Sequence, residues 1–250
     1  MRERWRSGLV LLISAVLFVG IVLFAPGSEN SAFRRLIGLG EDPLGTPADV
    51  PEGGVYAFLD HQRGDPDDPV AWDPCKEIHY EINTDGAPDG ADETVAFVEA
   101  AVAEVAGVTG LRFVYDGRTD RRPKWEREFV PLGGRREQVL ISWATESEVD
   151  QLDGDVAGLG GAAAREGGDG RLRFITGGVT LDSDSFEDLE EERDGEAYQR
   201  AILLHELGHL VGLDHVDSPA ELMFEDNIGQ REFGRGDLNG LVRLGQGECA

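Results

Sequence analysis

The apolar positions of this chain change character twice. From Gly8 to Ala25 they form an uncharged run of roughly 18 residues, close to the ~20 that span a hydrocarbon core. Arg2, Arg4 and Arg6 precede it. A helix apolar on every side has no face to turn to water. A positive flank stays in the cytoplasm while the chain beyond the apolar run is exported. Residues 1–25 are therefore expected to be a signal-anchor or transmembrane segment. A cleaved signal peptide is the alternative, although the run ends in Ala25-Pro26-Gly27 with no clean cleavage site. The first reading puts the chain in the cell membrane with its domain extracytoplasmic, and the second makes it secreted.

Beyond this run the hydrophobic pattern thins. Pro43, Pro47, Pro51 and Gly53-Gly54 punctuate the chain, and Asp65-Pro66-Asp67-Asp68-Pro69 makes an acidic turn. Residues 26–71 read as a linker and pre-domain segment. From Trp72 the pattern becomes regular. Ile78, Tyr80 and Ile82 alternate with polar residues, as do Leu111, Phe113 and Tyr115, and both read as strands. Between them Val95, Val98, Val102 and Val105 form a helical stripe, with Asp89 or Asp92 as its cap. Val139 to Trp143 is a third strand. The glycine-rich stretch 154–163 suits an irregular edge strand, and Phe174 to Leu181 is a fifth strand. Glu196 to Val211 and Asp237 to Leu244 read as helices, the second with Asp237 near its N-cap. This order predicts one mixed α/β domain with a five-stranded sheet over residues 72–250.

The formal charge of −26 repels phosphate, so nucleic acid is not expected as a partner. Like charge also favours a soluble monomer. The two cysteines, Cys75 and Cys249, form no Cys-x-x-Cys pair, so a thiolate metal site is not expected.

The chemistry concentrates in His205-Glu206-Leu207-Gly208-His209-Leu210-Val211-Gly212-Leu213-Asp214-His215. His205 and His209 are one helical turn apart on one face, so their imidazoles can converge on one zinc ion. A third ligand on the same straight helix would recede from it. Gly212 supplies the backbone freedom to end the helix and fold back, and His215 then completes the set. Three protein ligands leave a fourth position for water, the arrangement of a catalytic site. Glu206 is placed to take a proton from that water as general base.

With these residues in view, the chain resembles the metzincins, and among them the matrixin-like group. Glu221-Leu222-Met223-Phe224 is similar to the family's Met-turn, and Met223 is the sole methionine besides Met1. Gly236 to Leu241 is similar to the opening of the last helix, and Trp72 to Ile82 to the first strand. The resemblance implies a mixed, mostly parallel, twisted five-stranded sheet with an active-site helix and a C-terminal helix. It also implies a zinc-dependent endopeptidase acting on peptide or protein substrates. The glycine-rich stretch would lie beside the cleft, able to pair with an extended substrate. The residues just after Met223 would line the specificity pocket.

The sequence departs from animal matrixins in places. No Pro-Arg-Cys-Gly latency segment is present. A disulfide between Cys75 and Cys249 is the expectation in an oxidising compartment, with a latency role for Cys75 as the alternative. No calcium loop is evident. The acidic run Asp182, Asp184, Glu187 and Asp188 is read as solvated surface, with calcium binding as the alternative. His61 and His79 are read as structural. The rival to an enzyme is a catalytically silent, zinc-stabilised binding module at a cell surface. A hydrolase of non-peptide amides is a third reading.

Overall fold

A computed structural model describes residues 42–125, 138–226 and 229–250. In chain order the strands are β1 (Ala57–Phe58), β2 (His61–Gln62), β3 (Asp65–Pro69), β4 (Ala71–Trp72) and β5 (Ile78–Ile82). Helix α1 (Ala91–Thr109) follows, then β6 (Phe113–Arg118), β7 (Val139–Ala144), β8 (Gly158–Glu166) and β9 (Leu172–Asp182). The chain ends with α2 (Ser183–Glu190), α3 (Gly195–Val211), β10 (Leu213–Asp214) and α4 (Arg235–Gly245).

The five long strands form a mixed, mostly parallel sheet. β6, β5, β7 and β9 lie parallel in that order, and β8 runs antiparallel along β9. The two-residue β4 pairs parallel with the start of β9. Because β8 covers one edge of β9 along most of its length, β4 and β7 must share the other. All six residues of β7 are buried, as a parallel strand covered on both faces requires. In β5 only Ile78, Tyr80 and Ile82 are buried, so the predicted alternation marks the side facing the core.

Helices α1, α3 and α4 pack against one another, and α3 lies along β8 and β9. The buried stripe of α1 is Thr94, Val98, Ala101, Val102, Val105 and Thr109. Gly90, rather than either aspartate, sits at its N-cap, and Gly110 ends it in the left-handed region (φ 72°) with its N–H donating to the Ala106 carbonyl. Helix α4 begins at Arg235, so Asp237 falls at its third position and accepts from the Gly234 amide at 2.8 Å. The acidic run from Asp182 forms α2. The Asp182 carboxylate caps it by accepting from Ser185 N–H at 2.7 Å, and Phe186 drives into the core edge-on to Trp143.

Residues 42–71, expected as a linker and pre-domain segment, pack on the domain where they are described. Leu44 N–H donates to the Pro74 carbonyl and Ala48 N–H to the Val108 carbonyl, both at 2.9 Å. β1 pairs with β10, and β4 joins the main sheet. These attachments are main-chain bonds, which leave no hydrophobic period to read. The apolar run at 8–25 lies outside the described residues. Among the described residues, no helix is long and apolar enough to cross a membrane.

Cys75 and Cys249 are joined in a disulfide across 174 residues of sequence. Asp73 gathers the ends around it, accepting from Cys75 N–H at 3.0 Å, Lys76 Nζ at 2.5 Å and Ala250 N–H at 3.3 Å. Replacing both cysteines by serine should lower unfolding free energy by about 2–5 kcal/mol in denaturant titrations. An unchanged midpoint would mean that the Asp73 contacts alone hold the two ends.

Candidate metal centre

Helix α3 runs beneath the sheet, and its last turns are buried nearly all round, from Leu203 to Val211 with His205 partly open. His205 and His209 project from one face. The helix stops at Gly212, whose φ of 121° is closed to most side chains, and its N–H bonds back to the Gly208 and His209 carbonyls at 3.1 Å. A Cβ at Gly212 would also meet Phe174 at 3.0 Å and Leu244 at 3.1 Å, so the turn is tightly enclosed. The chain then passes through β10 and delivers His215.

The three Nε2 atoms form a near-equilateral triangle. His205 to His215 is 3.0 Å, and His209 lies 3.1 Å from each. Two of the rings are oriented from behind. His205 Nδ1–H donates to the Leu222 carbonyl and His209 Nδ1–H to the Leu213 carbonyl, both at 2.8 Å. A carbonyl only accepts, so both protons sit on Nδ1 and both Nε2 lone pairs face the centre of the triangle. Burial and the neighbouring imidazole His209 push His205 down to about 3. Burial pushes His209 down to about 4. Both rings are neutral ligands at neutral pH. Three imidazole nitrogens at this spacing suit one zinc ion, whose Zn–N bonds are about 2.0–2.1 Å. His215 is the exposed corner, through which the site opens to solvent.

Glu206 lies under β8 with 7% of its surface exposed. Burial pushes its carboxyl up to about 8; a cation nearby would favour the ionised form. β8 reaches it because it carries glycine at two contacts. A Cβ at Gly158 would lie 2.9 Å from Glu206 Cγ, and one at Gly160 would overlap the Glu206 main chain. The expected edge strand is thus present at 158–166. Among the described residues its outer edge bears no further strand.

Met223 is buried against Gly208, between His205 and His209 in the sequence of α3. A Cβ at Gly208 would stand 2.6 Å from its sulfur, so the glycine between the two helical ligands is what admits the methionine. The turn that brings it there is closed by Val216 N–H donating to the Met223 carbonyl at 3.0 Å. Two acids, Glu221 of the Met-turn-like segment and Asp237 near the start of α4, lock this turn in a way the sequence alone does not reveal. Glu221 accepts from Gly236 N–H at 2.8 Å and Asp237 N–H at 3.2 Å, capping α4. Asp237 reciprocates through Leu222 N–H at 2.5 Å. Burial pushes the Asp237 carboxyl up to about 6. The available signal was an acid beside Leu-Met and another entering a helix, where partial positive charge collects. Of the segment expected to line the pocket, residues 227 and 228 lie outside the described residues. Arg231 stacks on Tyr198 of α3 at 4.4 Å.

His79 and His61 stand apart from the triad. His79 Nδ1 bonds to Asp116 Oδ1 at 2.8 Å, and His61 lies edge-on to Phe58.

The profile of the family described as Matrixin matches residues 71–241. Among solved structures, archaemetzincin from Methanopyrus kandleri is 16% identical, with 67% of this chain and 94% of that chain covered and a TM-score of 0.43. The GM1-bound form of the ECX AB5 holotoxin is 15% identical, with 78% and 89% covered and a TM-score of 0.42. No curated protein matches the chain.

Gly160→Ala should force β8 away from α3 and destabilise the domain by about 1–3 kcal/mol. Urea unfolding measures it, and a variant as stable as the parent would contradict the close approach of the two backbones.

Proposed function

The chain belongs to the matrixin family of zinc metallopeptidases, and on that premise we propose that His205, His209 and His215 hold a catalytic zinc and that Glu206 is the general base of peptide-bond hydrolysis. The observation that carries the proposal is the triangle of Nε2 atoms, with two lone pairs aimed inward by backbone carbonyls. Zinc, when bound there, supplies Lewis-acid polarisation of the scissile carbonyl and lowers the pKa of water.

The chain's own residues do the rest. The Glu206 carboxylate takes a proton from the attacking water and returns it to the leaving amine. Its burial under β8 keeps bulk water from competing for that proton. The outer edge of β8, which bears no further strand among the described residues, offers main-chain groups to an extended peptide, which favours a peptide over an isolated amide. Gly212 and Met223 are structural: one turns the chain to His215, and the other fills the space below the ligands.

The apolar run at 8–25 behind three arginines, together with the Cys75–Cys249 disulfide, supports a membrane-tethered domain working outside the cytoplasm. Cleavage after that run would release the same domain, residues 72–250 with the segment packed on it. The acidic surface argues for a monomer that avoids nucleic acid. Calcium has no assigned place in this reading.

Glu206→Gln should lower kcat/KM on a peptide library by about 10²–10⁴-fold while zinc stays bound at one equivalent. A chelator should abolish cleavage by the parent enzyme. A fully metallated parent that cleaves no peptide would instead favour the silent binding module.

A further inference from the structure

We infer that the segment Gly53–Leu59 is a positioning strap that holds the His215 loop in its ligating shape and so sets how tightly the three imidazoles keep zinc. The inference rests on the reading that these histidines share that ion.

The three histidines are not equally supported. His205 and His209 sit on a buried helix, and each is fixed from behind by a carbonyl. His215 is exposed and lies beyond the Gly212 break, outside both the helix and the main sheet. The residues leading to it, Leu213 and Asp214, pair in register with Phe58 and Ala57 of β1. Leu59 N–H extends the ladder by donating to the Gly212 carbonyl at 3.0 Å. The backbone from the helix break to the third ligand is therefore laddered onto residues 57–59. Leu213 is also the residue whose carbonyl orients His209, so the strap stands behind two of the three rings.

The upstream half of the strap is wedged against α4. Gly54 has φ +76°, and a Cβ there would overlap the Gly236 main chain and stand 2.7 Å from Glu221 Oε1. Asn239 Nδ2 donates to the Pro51 carbonyl at 3.0 Å and the Gly53 carbonyl at 3.2 Å. Val55 N–H donates to Glu221 Oε1 at 3.4 Å, next to Leu222, whose carbonyl orients His205. One short segment thus bridges the two loops that aim the imidazoles. Val55, Tyr56 and Leu59 are 51%, 44% and 37% exposed, so main-chain bonds supply most of the grip, joined by the partly buried Phe58 packed against the core.

If the strap favours the ligating loop, zinc must favour the docked strap by the same factor, because binding linkage is reciprocal. The test uses the full chain. Zinc affinity is measured by chelator competition for the parent, Leu59→Pro and Leu59→Ala. Proline deletes the N–H that bonds Gly212, whereas alanine keeps it. Leu59→Pro should weaken zinc binding by about 10–100-fold, as loss of ligand support commonly does, and Leu59→Ala should stay within about twofold of the parent. The cobalt(II) absorption spectrum should change for the proline variant alone. In the parent, zinc loading should slow amide exchange at Leu59 and along 57–58 and 213–214.

A folded Leu59→Pro variant with parental zinc affinity and cobalt spectrum overturns the inference. If that variant does not fold, the exchange experiment decides on the parent alone, and equal exchange at Leu59 with and without zinc overturns it. A parent that binds no zinc would sink the reading of the site itself, a separate outcome.

Discussion

Three imidazole nitrogens held within 3.1 Å of one another set the constraint that the rest of the domain meets, because lone pairs so placed repel until a cation stands among them. The domain holds two of the rings by bonding their opposite nitrogens to carbonyls. Those carbonyls belong to Leu213 of β10 and Leu222 of the turn beyond it, the two segments that follow the helix. Ligand geometry is therefore only as firm as these segments. The Gly212 break fixes one. The reciprocal bonds between Glu221, Asp237 and the start of α4 fix the other.

The larger elements serve the same end. A fully buried β7 and an almost fully buried second half of α3 leave the active helix little room to slide. The cost of that burial falls on Glu206, whose carboxyl is pushed up to about 8 because its charged form sits where water is scarce. A cation held nearby would relieve the conflict by favouring the ionised carboxylate.

Much of this was legible in the sequence. The alternation of Ile78, Tyr80 and Ile82 and the valine stripe of α1 report burial on one face, the one thing hydrophobic periodicity measures. The spacing of His205, His209 and His215 around Gly212 is a local code, so it too could be read directly. What escaped was held by other means. Residues 42–71 attach through main-chain hydrogen bonds, glycine contacts and scattered side chains such as Gln62, Asp68 and Val70, which form no periodic pattern. Helix α2 hid in an acidic run because its anchor is one residue, Phe186. Asp237 could be read as a helix-capping acid, but its bond to Leu222 and that of Glu221 to Gly236 could not, because those partners are backbone amides 15 residues away in sequence.

The contact between β8 and α3 carries a consequence for divergence. At Gly160 the spacing between β8 and α3 is set by two backbones, so no rotamer can widen or narrow it, while Gly158 leaves room for the Glu206 side chain itself. Relatives sharing this arrangement have little substitutional freedom on that wall. Their selectivity must diversify elsewhere around the groove, at positions where a side chain can be exchanged without parting two main chains.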